Sequence, residues 1–131
     1  MSEENIEIVK RVDALYRAGK FDEVFEFYDP EVEWDASHFP EGRVYRGHDG
    51  IREFFRRYMG AWRTLEVEFE ELFDAGDKVV AFARDHGIGR ASGVPVEIVY
   101  AQVFTLRDGQ IVGWQAFTDR GAALEAAGLS A

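Results

Sequence analysis

Apolar residues recur at helical spacing in the first part of the chain. Residues 6–16 place apolar side chains three or four positions apart, which is typical of one face of an amphipathic helix. Gly19 is the expected glycine just past the end of this helix. A second, short helix is predicted to begin after Asp22 and to end before Pro30, because proline cannot continue a helix.

A third helix is predicted further along the chain, after a loop over residues 36–47 that contains Pro40 and two glycines. His48 or Asp49 is the expected N-cap of this helix, and Gly60 is its expected end. Its apolar positions, residues 51, 54, 55, 58 and 59, again follow helical spacing.

Apolar residues that alternate with polar ones, at residues 31–35 and 65–70, predict β-strands outside the helices. A short strand is predicted over residues 31–35, and longer strands run from about residue 63 to residue 118. The pair Glu70-Glu71 breaks the alternation, which indicates a β-bulge. Turns are predicted at residues 75–77, 92–93 and 107–109, and Thr118 or Asp119 is expected to cap a short terminal helix.

Composition narrows the function classes. The chain has 131 residues, which fits one domain over residues 1–131, and 15% of them are aromatic, enough for a core and for the walls of a ligand cavity. A formal net charge of −10 disfavours nucleic acid and anionic membrane surfaces as partners. The absence of cysteine excludes disulfides and thiolate chemistry. The acidic N-terminal residues show no apolar leader, so a cytoplasmic protein is expected.

Five short motifs, in this order, resemble the NTF2-like superfamily and within it the SnoaL-like branch. They are AGKFD (18–22), DPEVEW (29–34), YRGHDGI (45–51), AGDKVV (75–80) and LRDGQIV (106–112). The resemblance covers nearly the whole chain. It implies an α+β cone in which a curved, mostly antiparallel sheet wraps around three helices, and it implies a homodimer formed through the outer face of the sheet. The superfamily includes isomerases, cyclases, dehydratases and binding modules, so the fold alone does not define the activity.

Ketosteroid isomerase, a member of this superfamily, provides a residue-level test. Its site needs an aspartate base together with a tyrosine and a neutral aspartic acid that donate hydrogen bonds to an enolate oxygen. The resemblance places Asp35 at the position of the base, Val12 at that of the tyrosine and Gln102 at that of the second acid. Tyr16 lies one helical turn beyond Val12 and does not match. Two of the three groups differ, so steroid isomerisation is not predicted.

Asp35 has two interpretations. It ends the strand that would enter the cavity, beside Trp34 and three residues before His38, and burial there would raise its pKa toward the range of a general base. Alternatively, it ends a strand and caps the following loop. His38 lies in a loop that would cover the mouth of the cavity, or is an ordinary loop residue.

The long strands carry further candidates. Arg84 and His86 share one face of a strand with Phe82 and Ile88, and this face lines either the cavity or the outside of the sheet. On the next strand the resemblance turns Gln102 inward, and Tyr100 and Phe104 follow it by alternation. Phe54, Tyr58 and Trp114 complete the expected walls of the cavity.

Three hypotheses follow. The first is an enzyme without cofactor that isomerises, cyclises or dehydrates a mainly apolar, oxygenated small molecule by proton transfer. In it Asp35 is the base, Gln102 and Tyr100 polarise an oxygen, and Arg84 or His86 assists. The second is a binding module without catalysis, and the third a dimeric interaction domain whose aromatic side chains fill the cavity. The three histidines lack the spacing of a metal site, so no metal is expected.

Overall fold

The structure, a computed structural model, describes residues 2–38 and 42–129. The helices are α1 (Ser2–Arg17), α2 (Gly47–Gly60) and α3 (Arg120–Ala126), and a 3₁₀ turn spans Glu23–Phe27. The strands are β1 (Tyr28–Ala36), β2 (Arg43–Arg46), β3 (Trp62–Ala75), β4 (Lys78–Gly89), β5 (Pro95–Arg107) and β6 (Gln110–Phe117). In this described part of the chain, no helix is both long and apolar enough to cross a membrane.

The six strands form one curved, unclosed sheet in the order β2-β1-β6-β5-β4-β3. All neighbouring pairs are antiparallel except β1 and β6, which are parallel. Helices α1 and α2 pack against the inner face of the sheet, where most of the buried apolar side chains lie. The predicted α+β cone is therefore confirmed.

The predicted ends of α1 and α3 are confirmed. Gly19 has φ +75°, and the backbone N–H groups of Gly19 and Lys20 donate to the carbonyls of Tyr16 and Leu15 at 3.1 and 2.9 Å. This is the Schellman motif, in which a residue with positive φ closes the last turn. Asp119 caps α3, since its side chain accepts hydrogen bonds from the backbone N–H groups of Gly121 and Ala122.

The segment between β1 and α2 differs from its prediction. Residues 43–46 of the expected loop form β2, a short edge strand that pairs with β1, whereas Pro40 lies outside the described residues. Four residues are too few to show a clear alternation. The predicted N-caps of α2, His48 and Asp49, are wrong, because Arg46 occupies that position and makes no side-chain cap hydrogen bond, whereas the predicted end at Gly60 is confirmed. His48 instead contacts the Tyr28 carbonyl oxygen through Nε2 at 3.0 Å.

The strands β3 to β6 follow the sequence pattern closely. The β3–β4 register shifts between Phe69 and Glu71, which confirms the bulge. Asp108 and Gly109 both have positive φ, at 52° and 81°, as a two-residue hairpin turn between β5 and β6 requires.

Both faces of the central strands are covered. Val79, Ala81 and Ala83 of β4 are fully buried in the inner core, so the expectation that their alternation could form an outer dimer face is wrong. On the outer face, Val80 packs in a second cluster against Ala123 of α3. Consecutive residues of β4 are therefore buried on opposite sides of the sheet.

The side chain of Arg120 at the start of α3 attaches this helix to the sheet. Its guanidinium donates to the backbone carbonyls of Ala83 and Tyr100 at 3.1 and 3.3 Å. It also lies over the ring of Phe82, 4.6 Å from the centroid. The backbone around two inner positions of β4 and β5 is thus held from the outer side of the sheet.

Candidate functional site

A cavity of about 590 Å³ lies between the inner face of the sheet and the helices α1 and α2. Val12 and Tyr16 contribute to it from α1, and Phe54 and Tyr58 from α2. The positions 12 and 16, like 54 and 58, are four residues apart, so each pair projects from one face of its helix. Because a cavity of this volume stays open between them, the aromatic side chains surround the cavity without filling it. This disfavours the hypothesis of a cavity filled by its own aromatic residues.

Aromatic rings form the walls of this cavity. Trp34 of β1 and Trp114 of β6 are paired in the sheet register, and their rings stack with centroids 4.1 Å apart and planes 7° apart. Phe54 and Tyr58 of α2 stack with centroids 5.7 Å apart. Flat, apolar walls of this kind suit a ligand with rings of its own.

Asp85 is a buried acidic group in the cavity wall. It lies on β4 at the next inward position after Ala81 and Ala83, and its side chain is fully buried. Tyr58 Oη donates to Asp85 Oδ2 at 2.6 Å, and Tyr100 Oη donates to Asp85 Oδ1 at 3.0 Å. Burial raises the pKa of Asp85 above its ordinary value, and the two phenol hydrogen bonds oppose this rise only in part.

A chain of hydrogen bonds extends from Asp85 across three strands. Gln102 Nε2 donates to Tyr100 Oη at 3.0 Å, and Trp114 Nε1 donates to Gln102 Oε1 at 2.7 Å. An indole N–H only donates, so the oxygen of the Gln102 amide must face Trp114 and its nitrogen must face Tyr100. Tyr100 then accepts from Gln102 and gives its own proton to Asp85. Asp85 is therefore the final acceptor of this series of hydrogen bonds.

A second polar group in the wall is a pair of phenols. The hydroxyl oxygens of Tyr16 and Tyr28 are 2.9 Å apart, and either can be the donor. Burial raises the pKa of both phenols well above the ordinary value, so both stay protonated at neutral pH. Two protons are present and only one lies between the oxygens, so the other faces no acceptor among the described residues.

Trp34 provides a further donor without a partner. Its Nε1 is buried and makes no hydrogen bond to any described residue. A buried donor without an acceptor is unfavourable. The free proton of the tyrosine pair and this indole N–H thus provide hydrogen-bond donors for an oxygen of a ligand.

The mouth of the cavity lies at the end of α1. Phe21 and Met59 border it and are 46% and 38% exposed. Asp13 and Arg17 also line it and form an ion pair at 3.1 Å. Partial burial raises the pKa of Asp13, although the Arg17 guanidinium lowers it. This rim combines exposed apolar side chains with a carboxylate whose charge is balanced by Arg17.

Seven of the predicted site residues line the cavity together. They are Trp34, Phe54, Tyr58, Tyr100, Gln102, Phe104 and Trp114. Their inward direction follows from the alternation along each strand and from the face of α2.

Asp35 and His38 do not line the cavity. Asp35 follows Trp34 on β1 and so points to the opposite side of the sheet. Partial burial alone would raise its pKa, but hydrogen bonds from Ser37 (backbone N–H, 2.9 Å) and Gln115 (Nε2, 3.3 Å) lower it overall. The expected rise in the pKa of Asp35 is therefore wrong, because these hydrogen bonds stabilise its ionised form. The ring of His38 stacks on Phe117, with centroids 5.0 Å apart.

Arg84 and His86 face the outside of the sheet. Arg84 pairs with Glu70 at 3.0 Å and also with Glu97. His86 contacts Glu97 at 3.2 Å and Glu68 at 3.6 Å. The alternative in which their face lines the cavity is wrong, because the odd-numbered positions of β4 point inward.

Sequence reasoning missed Asp85, Tyr16 and Tyr28 as wall residues. The available signal for Asp85 was its place two residues beyond Ala83, because positions 81, 83 and 85 of a strand share one face. Tyr16 shares the apolar face of α1 with Val12, which was the available signal for its direction. Nothing in the local pattern marks Tyr28, which lies at the start of β1.

Comparison with known proteins agrees with this geometry. Residues 9–114 match the family described as the SnoaL-like domain, and the chain belongs to this family. No curated protein sequence matches the chain.

Solved structures share the fold. An NTF2-like protein from Burkholderia thailandensis E264 is 30% identical and matches 92% of this chain and 94% of its own, with a TM-score of 0.79. A protein from Jannaschia sp. CCS1, assigned as a SnoaL-like polyketide cyclase, is 27% identical over 95% and 91% of the two chains, with a TM-score of 0.76. A protein from Catenulispora acidiphila DSM 44928 with a ketosteroid isomerase-like fold, in complex with trimethylamine, is 19% identical over 94% and 93%, with a TM-score of 0.74.

Proposed function

We propose that the cavity binds a mainly apolar, oxygenated small molecule and that Asp85 exchanges a proton with it. The reaction class is isomerisation, cyclisation or dehydration, and the proposed steps use only side chains of this chain. The observation that carries the proposal is a fully buried carboxylate in the cavity wall, held by two phenol hydroxyls. Membership of the SnoaL-like family supports the same class of protein.

The environment of Asp85 suits a general base. A carboxylate whose pKa is raised by burial binds a proton more strongly than one in water, and a catalytic acid or base is most effective when its pKa approaches the working pH. Tyr58 and Tyr100 fix the direction of its two oxygens, and Gln102 in turn fixes Tyr100. Gln102 therefore acts as a positioning residue in this proposal.

The remaining donors of the cavity fit the oxygen of the substrate. Removal of a proton next to a carbonyl places negative charge on that oxygen, and donors aimed at it lower the energy of the transition state. The free proton of the Tyr16–Tyr28 pair and the N–H of Trp34 have no acceptor among the described residues. A ligand carbonyl or phenol oxygen would provide one.

Asp85, and not Asp35, is the general base in this reaction. Asp35 lies away from the cavity wall and its pKa is lowered, so it is the weaker base. Arg84 and His86 are engaged with glutamates on the outer face and take no part in the proposed reaction.

The test compares Asp85→Asn with Asp35→Asn. A panel of polycyclic ketones, lactones and aromatic polyketide mimics is first screened by thermal stabilisation of the native protein, and bound compounds are then followed for conversion. We expect turnover to be lost in Asp85→Asn and retained in Asp35→Asn. Full turnover by a folded Asp85→Asn variant would refute the proposal.

A binding module without catalysis is the second candidate. One observation favours it: Asp85, Tyr100, Gln102 and Trp114 already satisfy one another by hydrogen bonds. This candidate predicts stabilisation by ligands with no conversion by the native protein. The homodimer implied by the family resemblance stays a prediction for either candidate, and light scattering in solution tests it.

A further inference from the structure

We propose that the ligand of this cavity carries a protonated amine on an apolar skeleton and that its ammonium group pairs with Asp85 among the aromatic rings. The inference rests on the proposed function in that it requires a cavity that holds a ligand. It adds the charge of that ligand, which neither the fold nor the family membership defines.

No cationic side chain makes a hydrogen bond or ion pair with the carboxylate of Asp85 in the described part of the chain, although His86 lowers its pKa through space from the other face of β4. Its hydrogen-bond donors are the neutral phenols of Tyr58 and Tyr100. The cationic side chains that flank it in sequence, Arg84 and His86, extend from the other face of β4 and contact glutamates there. Buried charges in proteins are normally paired, so this carboxylate lacks the partner that a bound cation would provide.

The other charges that line the cavity do not favour an anion. Asp13 is acidic, and Arg17, the basic residue of the lining, is already paired with it at 3.1 Å. The chain as a whole has a formal charge of −10. Walls of low dielectric constant concentrate such a field inside a cleft, which attracts cations and repels carboxylates.

The rings around Asp85 add a second attraction for a cation. The Tyr58 ring, whose hydroxyl touches Asp85, is stacked on Phe54, and Phe54 lies 5.6 Å from the ring of Trp114. The faces of aromatic rings carry negative charge density and bind ammonium groups, most strongly where water is excluded. A carboxylate held by two tyrosines in a wall that also contains Phe54 and Trp114 is therefore suited to an organic cation.

An ammonium group in this place is compatible with proton transfer. A positive charge beside Asp85 lowers its raised pKa, so the carboxyl becomes a weaker base but is held in the ionised form, which is the form that accepts a proton. The apolar skeleton of the ligand would then lie along the stacked rings of Trp34 and Trp114.

Three compounds with one skeleton test the inference: 2-naphthylmethylamine, 2-naphthylmethanol and 2-naphthoic acid, measured by calorimetry at pH 7. We expect the native protein to bind the amine about tenfold more tightly than the alcohol, and the acid most weakly. In Asp85→Asn the preference for the amine should vanish while the alcohol still binds. Glu68→Gln removes one negative charge from the outer face and should leave the order unchanged.

The outcomes separate the two proposals. If the alcohol or the acid binds the native protein as tightly as the amine does, the charge preference is wrong and the cavity remains a ligand site. If none of the three binds, both proposals fail. The series with the native protein decides the question even if Asp85→Asn does not fold.

Discussion

Replacing Tyr100 by phenylalanine tests the polar chain that holds Asp85. Tyr100 is 3% exposed, and its hydroxyl donates to Asp85 Oδ1 and accepts from Gln102 Nε2, each at 3.0 Å. The substitution removes one oxygen and leaves the ring in place. It takes from Asp85 one of its two phenol donors and from the Gln102 amide its acceptor.

The expected loss of stability follows from these two contacts. A hydrogen bond to a charged group contributes about 1.5–3 kcal/mol, and a neutral one about 1 kcal/mol. Tyr100→Phe should therefore lower the free energy of unfolding by about 2.5–4 kcal/mol at a pH where Asp85 is ionised. Loss of the donor should also raise the pKa of Asp85 further, because the ionised form loses a hydrogen bond.

The stability penalty of Tyr100→Phe should change with pH in a defined direction. The pKa of Asp85 is higher in the folded protein than its ordinary value of 3.8, so protonation favours the folded state. Its stabilising contribution is full below that ordinary value and is lost as the pH rises through the folded pKa. The penalty of Tyr100→Phe should therefore be larger at pH 7 than at pH 4.

Urea unfolding at several pH values and carbon NMR of the Asp85 carboxyl measure both effects. Tyr16→Phe is the matched control, because it deletes a hydroxyl from the same cavity but affects only the neutral pair with Tyr28. Its penalty should be about 0.5–1.5 kcal/mol and independent of pH. Equal penalties for the two variants at every pH, with an unchanged pKa of Asp85, would refute the reasoning.

Three further predictions concern other parts of the fold. Gly87→Ala should lower the free energy of unfolding by about 1–3 kcal/mol, since a Cβ there would lie 2.4 Å from the ring of Trp62. Urea unfolding measures this, and Gly113→Ala is the control: a Cβ there has no neighbour nearer than 3.6 Å, so it should cost far less. Asp119→Ala should cost about 0.5–2 kcal/mol because α3 loses its cap, and thermal melts would show it. Asp35 has a lowered pKa in the folded state, so its contribution is present above pH 3.8 and disappears as the pH falls through the folded pKa; Asp35→Asn should weaken this acid-induced loss of stability, as unfolding curves between pH 5 and pH 2 would show.

The sequence predicted those elements whose pattern repeats several times. The helical spacing in α1 and α2 and the alternation in β3 identified each element. Gly19 marked one helix end because it adopts a positive φ, and Asp119 marked another because its side chain caps α3. The short strand β2 was missed because four residues do not establish a period. The described structure also shows that caps chosen by residue type alone, such as His48, fail where the backbone begins the helix earlier.

The candidate site was predictable on β5 and not on β4. The inward direction of Gln102 fixed Tyr100 and Phe104 by alternation. On β4 both faces carry apolar residues, because α3 covers Phe82 from outside and the core covers Ala81 and Ala83 from inside. Periodicity cannot distinguish two covered faces, and the acid on the inner one, Asp85, was therefore overlooked.

The attachment of α3 through Arg120 has a practical consequence for anyone who alters this protein. The guanidinium binds the carbonyls of Ala83 and Tyr100, which are register partners in adjacent strands; Tyr100 is a cavity residue, and Asp85 lies two positions beyond Ala83. A fusion, tag or truncation that displaces α3 would therefore change the spacing of the acid and its phenol donor without touching the cavity. Loss of activity in such a variant would report a disturbed backbone on the far side of the sheet, and Arg120→Lys with α3 intact would separate that cause from general unfolding.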